Sequence, residues 1–256
     1  MATPSHAEAQ RRGADACYTE TRSHVTSADP ATRYIVDWRL KTSLEHLRRH
    51  AGPRLQANSS ILFLCAGEGP EASTCCNLGY ANVSFSDLSP VAVESGMQRD
   101  PRLKGFTADA ENTGLAAGSY DVVVVQDGLH HLQRPVDGFT EMLRVARVGV
   151  VFIEPHDAFV GGRLGTKWER NGEAINFVFR WSKGLVEAVA SSYLGPDSFD
   201  NLSFSYWHHN VVYARIADLV VSRHAAVVTL RAIKAVLDVT LGSSGNMFSG
   251  IVLKTR

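Results

Sequence analysis

The chain has 256 residues, 45% of them apolar and 20% charged, which suits one large α/β domain or one domain with an inserted cap. Lys plus Arg equals Asp plus Glu at 26 each, so no net field draws a polyanion and no nucleic-acid partner is expected. No apolar run approaches the ~20 residues that span a bilayer, and the opening MATPSHAEAQRRGADA has no apolar signal core, so a cytoplasmic protein without a membrane partner is expected.

Residues 1–28 are polar and aperiodic. They read as a flexible N-terminal arm that can order over a cofactor, with 29–256 as a single domain. Arg33–Arg49 has helical periodicity, with Ile35, Trp38, Leu40, Leu44 and Leu47 roughly on one face. From Ile61 short apolar strands alternate with helical segments. Strands are expected at Ile61–Cys65, Val83–Ser86, Gly105–Ala108, Asp121–Gln126 and Gly149–Glu154. Helices are expected at Pro70–Leu78, Pro90–Gln98 and Val136–Arg147. The run of four valines at 122–125 lacks polar alternation, as in a strand buried on both faces. The expected fold is therefore α/β, a doubly wound and mostly parallel sheet.

After Glu154 the alternation stops. Residues 157–210 are too long for a simple connection and hold five aromatics between Phe159 and Trp181. This segment reads as a helical, aromatic cap insertion with an extra strand near Asn176–Phe179. A helix from about Val211 to Leu241, a Gly242-Ser-Ser-Gly turn and a last strand at Met247–Lys254 complete the chain. The cysteines at 17, 65, 75 and 76 form no metal-ligand spacing and read as reduced thiols.

The strongest local signal is LFLCAGEGPEA at 62–72, a strand running into Gly67-Glu68-Gly69 with Pro70 at a helix start. Alone, such a turn fits a plain strand-to-helix connection or a dinucleotide site. Asp87 ends the second strand in VSFSDLSP, where a carboxylate can accept both hydroxyls of a ribose. Asp109 ends the third in FTADAEN, where it can accept from an adenine amino group beside the Ala110 N–H. The fourth strand ends in YDVVVVQDGLHHL. All lie at carboxyl ends of parallel strands, where open α/β sheets bind ligands.

These four segments, across about residues 58–155, resemble the motifs of class I S-adenosylmethionine (SAM)-dependent methyltransferases, especially the type 11-like group that acts on small molecules. The resemblance implies a seven-stranded Rossmann-like sheet with its last strand antiparallel. It also implies SAM as cofactor, with S-adenosylhomocysteine as product. Carried over by position, the cofactor residues are Ala66, Gly67, Glu68, Gly69, Asp87, Leu88, Asp109, Ala110, Gln126 and His131. The turn departs from the family pattern in lacking a third glycine, and Cys65 stands where many members carry an acid.

The acceptor side is read from composition. Candidates for proton transfer are His131, His130 and His156, since an imidazole titrates near neutrality. Trp168, Phe177, Trp207 and His208 are expected to line an apolar acceptor cavity. No histidine pair shows HxH or HExxH spacing, so no metal is expected. The function expected is methyl transfer to a small apolar or aromatic metabolite. The competing reading is a SAM-binding protein of the same fold acting as a cyclase or binding module. A nicotinamide oxidoreductase would leave Asp109 and the double histidine without a role. Oligomeric state stays open, with a homodimer one candidate.

Overall fold

Short runs of β-branched and aromatic residues, punctuated by glycine and proline, form the strands of this computed structural model, which describes residues 5–20, 30–159, 165–171, 174–207, 223–241 and 244–255. The first five strands are β1 (Ser60–Phe63), β2 (Asn82–Asp87), β3 (Lys104–Thr107), β4 (Tyr120–Gln126) and β5 (Ala146–Pro155). They pair in parallel in the order β3-β2-β1-β4-β5. The last strand, β10 (Met247–Lys254), runs antiparallel beside β5. Outside it lie β8 (Phe199–Asn201) and β9 (Phe204–Tyr206), both antiparallel to β10.

The expected seven positions are thus present, but the edge position is split, giving eight strands. The break lies at Leu202–Ser203. There the Ser203 Oγ accepts from the Ile251 N–H at 2.9 Å, so a side chain does the work of a backbone acceptor.

Helices α1 (His6–Glu20), α2 (Pro30–Ala51), α3 (Pro70–Asn77), α4 (Pro90–Arg99), α5 (Pro135–Val145), α6 (Lys183–Leu194) and α7 (Arg223–Leu241) complete the described elements. Proline opens α3, α4 and α5, where its missing N–H costs nothing. Ser89 and Ser182 cap α4 and α6 by accepting from Ala92 N and Leu185 N. The expected Val136–Arg147 helix stops at Val145, because Ala146 already pairs with Tyr120 of β4.

Both sheet faces are covered. Ile61, Phe63, Val122, Val124, Val151 and Ile153 pack with Leu40, Leu44 and Leu47 of α2 on one side. Leu62, Val123, Val125, Val150 and Phe152 pack with Phe139, Met142 and Leu143 of α5 on the other. Alternate residues of each strand therefore enter different cores, as a doubly wound sheet requires.

Two boundaries drawn from sequence shift. Residues 6–20 are helical, and α1 crosses the carboxyl edge of the sheet instead of forming an unstructured arm. Among the described residues of 157–210, only β6 (Trp168–Asn171) and β7 (Ala174–Phe177) stand apart, as a two-stranded unit. α6 buries Val186 and Ala190 in the α5-side core, and β8 and β9 belong to the main sheet. Trp181 is fully buried against Phe139, Phe152 and Phe179, with ring centroids 5.4, 4.7 and 5.1 Å away. The aromatic richness read as a cap thus partly completes the domain core. Of the helix expected from Val211, residues 223–241 are described and helical. No described helix is long and apolar enough to cross a membrane.

Candidate functional site

A cavity of about 460 Å³ opens at the carboxyl ends of β1–β4. Its floor begins at the glycine turn. Cys65, Gly67 and Gly69 have φ of 51°, 52° and 71°. Glycine holds that region without penalty, whereas Cys65 stores strain of the kind found beside ligand sites. Asp127 does the same at the end of β4, with φ 53°. The next residue, Gly128, lies so close to β1 that a Cβ would come within 2.6 Å of the Cys65 Cβ.

Most cofactor residues expected from sequence converge on this cavity. Ala66, Gly67, Glu68, Asp87, Leu88, Asp109, Ala110, Gln126 and His131 all line it. Gly69 caps α3 just behind the lining. Asp87 accepts from the Gly67 N–H at 2.7 Å and from the Ser89 N–H at 2.9 Å, so its carboxylate clamps the turn. Burial pushes its pKa up despite those donors. Asp109 accepts from Glu111 N at 2.9 Å, an Asx turn that aims the segment. Gln126 donates weakly to Val36 O at 3.4 Å, while its Oε1 is buried without a partner.

Glu68 departs from expectation. Its buried carboxylate turns away to α4, accepting from Ser95 Oγ at 2.5 Å and pairing with Arg99 at 2.5 Å. It ties the turn to α4 and leaves its backbone at the cleft.

At the far end of the cavity the turn after β4 carries two histidines, of which His131 lines the cavity and His130 lies buried behind it. His130 is buried, with Nδ1 2.6 Å from Glu154 Oε2 and Nε2 3.5 Å from Glu169 Oε2. Glu154, wholly buried, also accepts from Gly128 N and Leu129 N at 2.8 and 2.7 Å. Burial opposes charge on His130, but the two carboxylates overcome it and raise its pKa to about 10. His131, 4.2 Å away between ring centroids, is pushed down to about 4 by burial and by its charged neighbour. Its Nδ1 lies 3.3 Å from Asn176 Nδ2.

The other acceptor-side expectations fare differently. His156 does not line the cavity. Its Nδ1 sits 2.6 Å from Gly245 O and its ring stacks on Phe248, so it fastens the end of β5 to the approach of β10. Trp168 and Phe177 are cross-strand partners on the outer face of the β6–β7 unit, 62% and 53% exposed. The pleat turns Glu169 and Asn176 inward instead. Trp207 follows β9, away from the cavity lining. His208 lies outside the described residues.

Several residues in the lining or directly behind it were not singled out from sequence. Arg39, buried in α2 and behind the lining, holds the lining residue Asp127 through its two terminal guanidinium nitrogens at 3.2 and 2.6 Å. Glu71 lines the cavity beside them, and burial, reinforced by Asp127, lifts its pKa to about 7. From α1 come His6, Gln10, Ala14 and Tyr18. Their four-residue spacing marks one helix face, a signal the polar composition masked. Gln10 donates to His131 O at 3.1 Å and to Asn176 Oδ1. A Cβ on Gly67 would come within 2.2 Å of the Tyr18 hydroxyl, so α1 closes over the turn.

The parallel order, reversed last strand and cleft at the strand ends define a Rossmann-like methyltransferase fold. Residues 62–153 match the family described as "Methyltransferase domain". A demethylmenaquinone methyltransferase of Beutenbergia cavernae is 35% identical over 112 residues, 44% of this chain and 43% of that protein. The chain thus spans about two fifths of the length of the curated relatives it matches. Among solved structures, N-methyltransferase NodS from Bradyrhizobium japonicum WM9, in complex with S-adenosyl-L-homocysteine, superposes with a TM-score of 0.56. It is 12% identical, over 97% of this chain and 100% of that one. The [4+2]-cyclase SpnF has a TM-score of 0.54 and 15% identity, covering 85% of this chain and 80% of its own. At such identities the likeness is one of fold.

Proposed function

We propose that the protein transfers a methyl group from SAM to a small, apolar or aromatic acceptor. The observation that carries this reading is the acidic cleft: Asp87 at the Gly67 turn and Asp109 after β3 face one cavity at the strand ends. Asp87 would accept from the ribose hydroxyls, and Asp109 with Ala110 would take the adenine edge. The partnerless Gln126 Oε1, with Glu71 nearby, suits the ammonium of the methionine part. SAM, when bound, supplies a methyl group made electrophilic by its sulfonium. The carboxylates of Asp87 and Asp109, with Glu71 partly ionised near neutrality, favour such a cation over a neutral ligand. α1 covers the glycine turn and excludes water there.

For the acceptor, the His131 end of the cavity is the remaining space, bounded by Leu132, Glu169 and Arg170. The curated relatives, named demethylmenaquinone methyltransferases, support an apolar acceptor of that class. Calorimetry with SAM and with NAD, followed by methyl-transfer assays on a panel that includes demethylmenaquinone, tests the proposal. SAM should bind, and Asp87→Ala should weaken it by about 30- to 150-fold, the loss of roughly 2–3 kcal/mol of charge-assisted bonding. NAD binding in place of SAM would overturn the reading. An unchanged dissociation constant in a folded Asp87→Ala variant would remove Asp87 from the ribose role.

A further inference from the structure

We propose that His130, His131 and Glu169 form a binding site for a divalent transition-metal ion at the closed end of the cleft. One ligand atom from each lies within 4.8 Å of the others. Two imidazoles and a carboxylate suit Zn²⁺ or Co²⁺, and three protein ligands leave coordination positions open. His131 and Glu169 line the cavity, so the open side of the ion would face it.

Three features point to metal ligation. The first is tautomer control. Glu154 is wholly buried and fixed by Gly128 N and Leu129 N, and it holds Nδ1 of His130 at 2.6 Å. That leaves Nε2 as the atom aimed at Glu169, the carboxylate–histidine–metal arrangement that orients a ligand and raises its basicity. The second is separation. His130 Nε2 and Glu169 Oε2 are 3.5 Å apart, long for a charge-assisted hydrogen bond. It is close to the ~3.3 Å between two ligands each about 2.0–2.1 Å from one tetrahedral ion. The third is adjustability. His130 and His131 are set by the turn after β4, whereas Glu169 stands on β6 with a side chain 39% exposed. It can therefore close the wider spacings onto an ion. Sequence spacing could not reveal this group, because Glu169 lies 38 residues beyond His131 and joins it only through the β6–β7 unit.

The site rests on these side chains and is independent of the methyl-transfer reading; SAM calorimetry on metal-free protein tests that reading separately. The full chain, without an affinity tag and freed of metal with a chelator, is titrated with Zn²⁺ by calorimetry and with Co²⁺ by visible absorption. One equivalent should bind, with the Co²⁺ spectrum of a low-symmetry nitrogen–oxygen site. Glu169→Gln, whose partly exposed side chain makes it safe for the fold, should weaken binding by more than about 10-fold. Glu154→Gln, which removes the orienting charge and also touches the acceptor of Gly128 N and Leu129 N, is taken at wild-type melting temperature and should weaken it by about 10- to 100-fold. The control is the His46 and His50 pair on α2, 4.7 Å apart between ring centroids, the place where an adventitious metal would sit instead. His50→Ala should change nothing. Absence of binding, binding that survives Glu169→Gln unchanged, or binding lost in His50→Ala would overturn the proposal. In that case His130 is simply an imidazolium shared by two carboxylates.

Discussion

Glu71 should make the ligand-free protein less stable than it could be, to a degree set by pH. Its carboxyl lines the cleft, and burial followed by the nearby Asp127 carries its pKa from 4.5 to about 7, against the pull of Arg33 and Arg39. In the unfolded chain it titrates near its ordinary value, so between pH ~4.5 and ~7 the folded state binds the extra proton. Stability from this group is therefore present below pH ~4.5 and lost as pH rises to about 7, after which the loss is constant. The rise from 4.5 to about 7 corresponds to ~3.4 kcal/mol at most, and partial solvent access reduces it to about 1–3 kcal/mol. Glu71→Gln keeps the shape and removes the charge. The assay is urea denaturation followed by tryptophan fluorescence, at pH 5 and pH 8, on wild type and variant. The variant should differ from wild type by less than about 1 kcal/mol at pH 5 and exceed it by about 1–3 kcal/mol at pH 8. Its SAM affinity should fall by about 10- to 100-fold if Glu71 accepts from the cofactor's ammonium. A stability difference that does not change between pH 5 and pH 8 would refute the reasoning, because only a displaced titration produces the dependence.

Trp181→Ala should cost about 3–5 kcal/mol by denaturation, since the indole is fully buried among Phe139, Phe152 and Phe179. Trp181→Phe should cost about 1 kcal/mol or less, because it keeps a ring and removes an Nε1–H that has no partner. Trp168→Ala, at a 62% exposed position, should stay within about 1 kcal/mol of wild type and leave SAM affinity unchanged in calorimetry. Gly250→Ala should lower the melting temperature or prevent folding, since a Cβ there would lie 2.1 Å from the buried Phe152 ring. Asp127→Asn should destabilise by about 3 kcal/mol, as it leaves the buried Arg39 without its charged partner while keeping a residue that tolerates the left-handed backbone.

The central sheet and the gathering of the four motif segments at one cleft were legible in the sequence because both depend on local pattern. An unbroken valine run marks a strand buried on two sides. A strand followed by glycine and then proline marks a sharp entry into a helix, and it does so whatever else packs nearby. Repeating that unit puts Gly67, Asp87, Asp109 and Gln126 at the same edge of a parallel sheet, so their convergence follows from chain direction alone. The His131 end of the cleft was decided by tertiary structure. Aromatic content could not distinguish Trp181, which fills the core under β5, from Trp168, which faces solvent on β6. Pleat and register turned Glu169 and Asn176 toward the histidines, and no spacing along the chain encodes that choice. The ionisation of His130 and Glu71 was likewise invisible in the sequence. A pKa is set by burial and by charges within a few ångströms, and here those charges come from Glu154, Glu169 and Asp127, residues that only folding brings together.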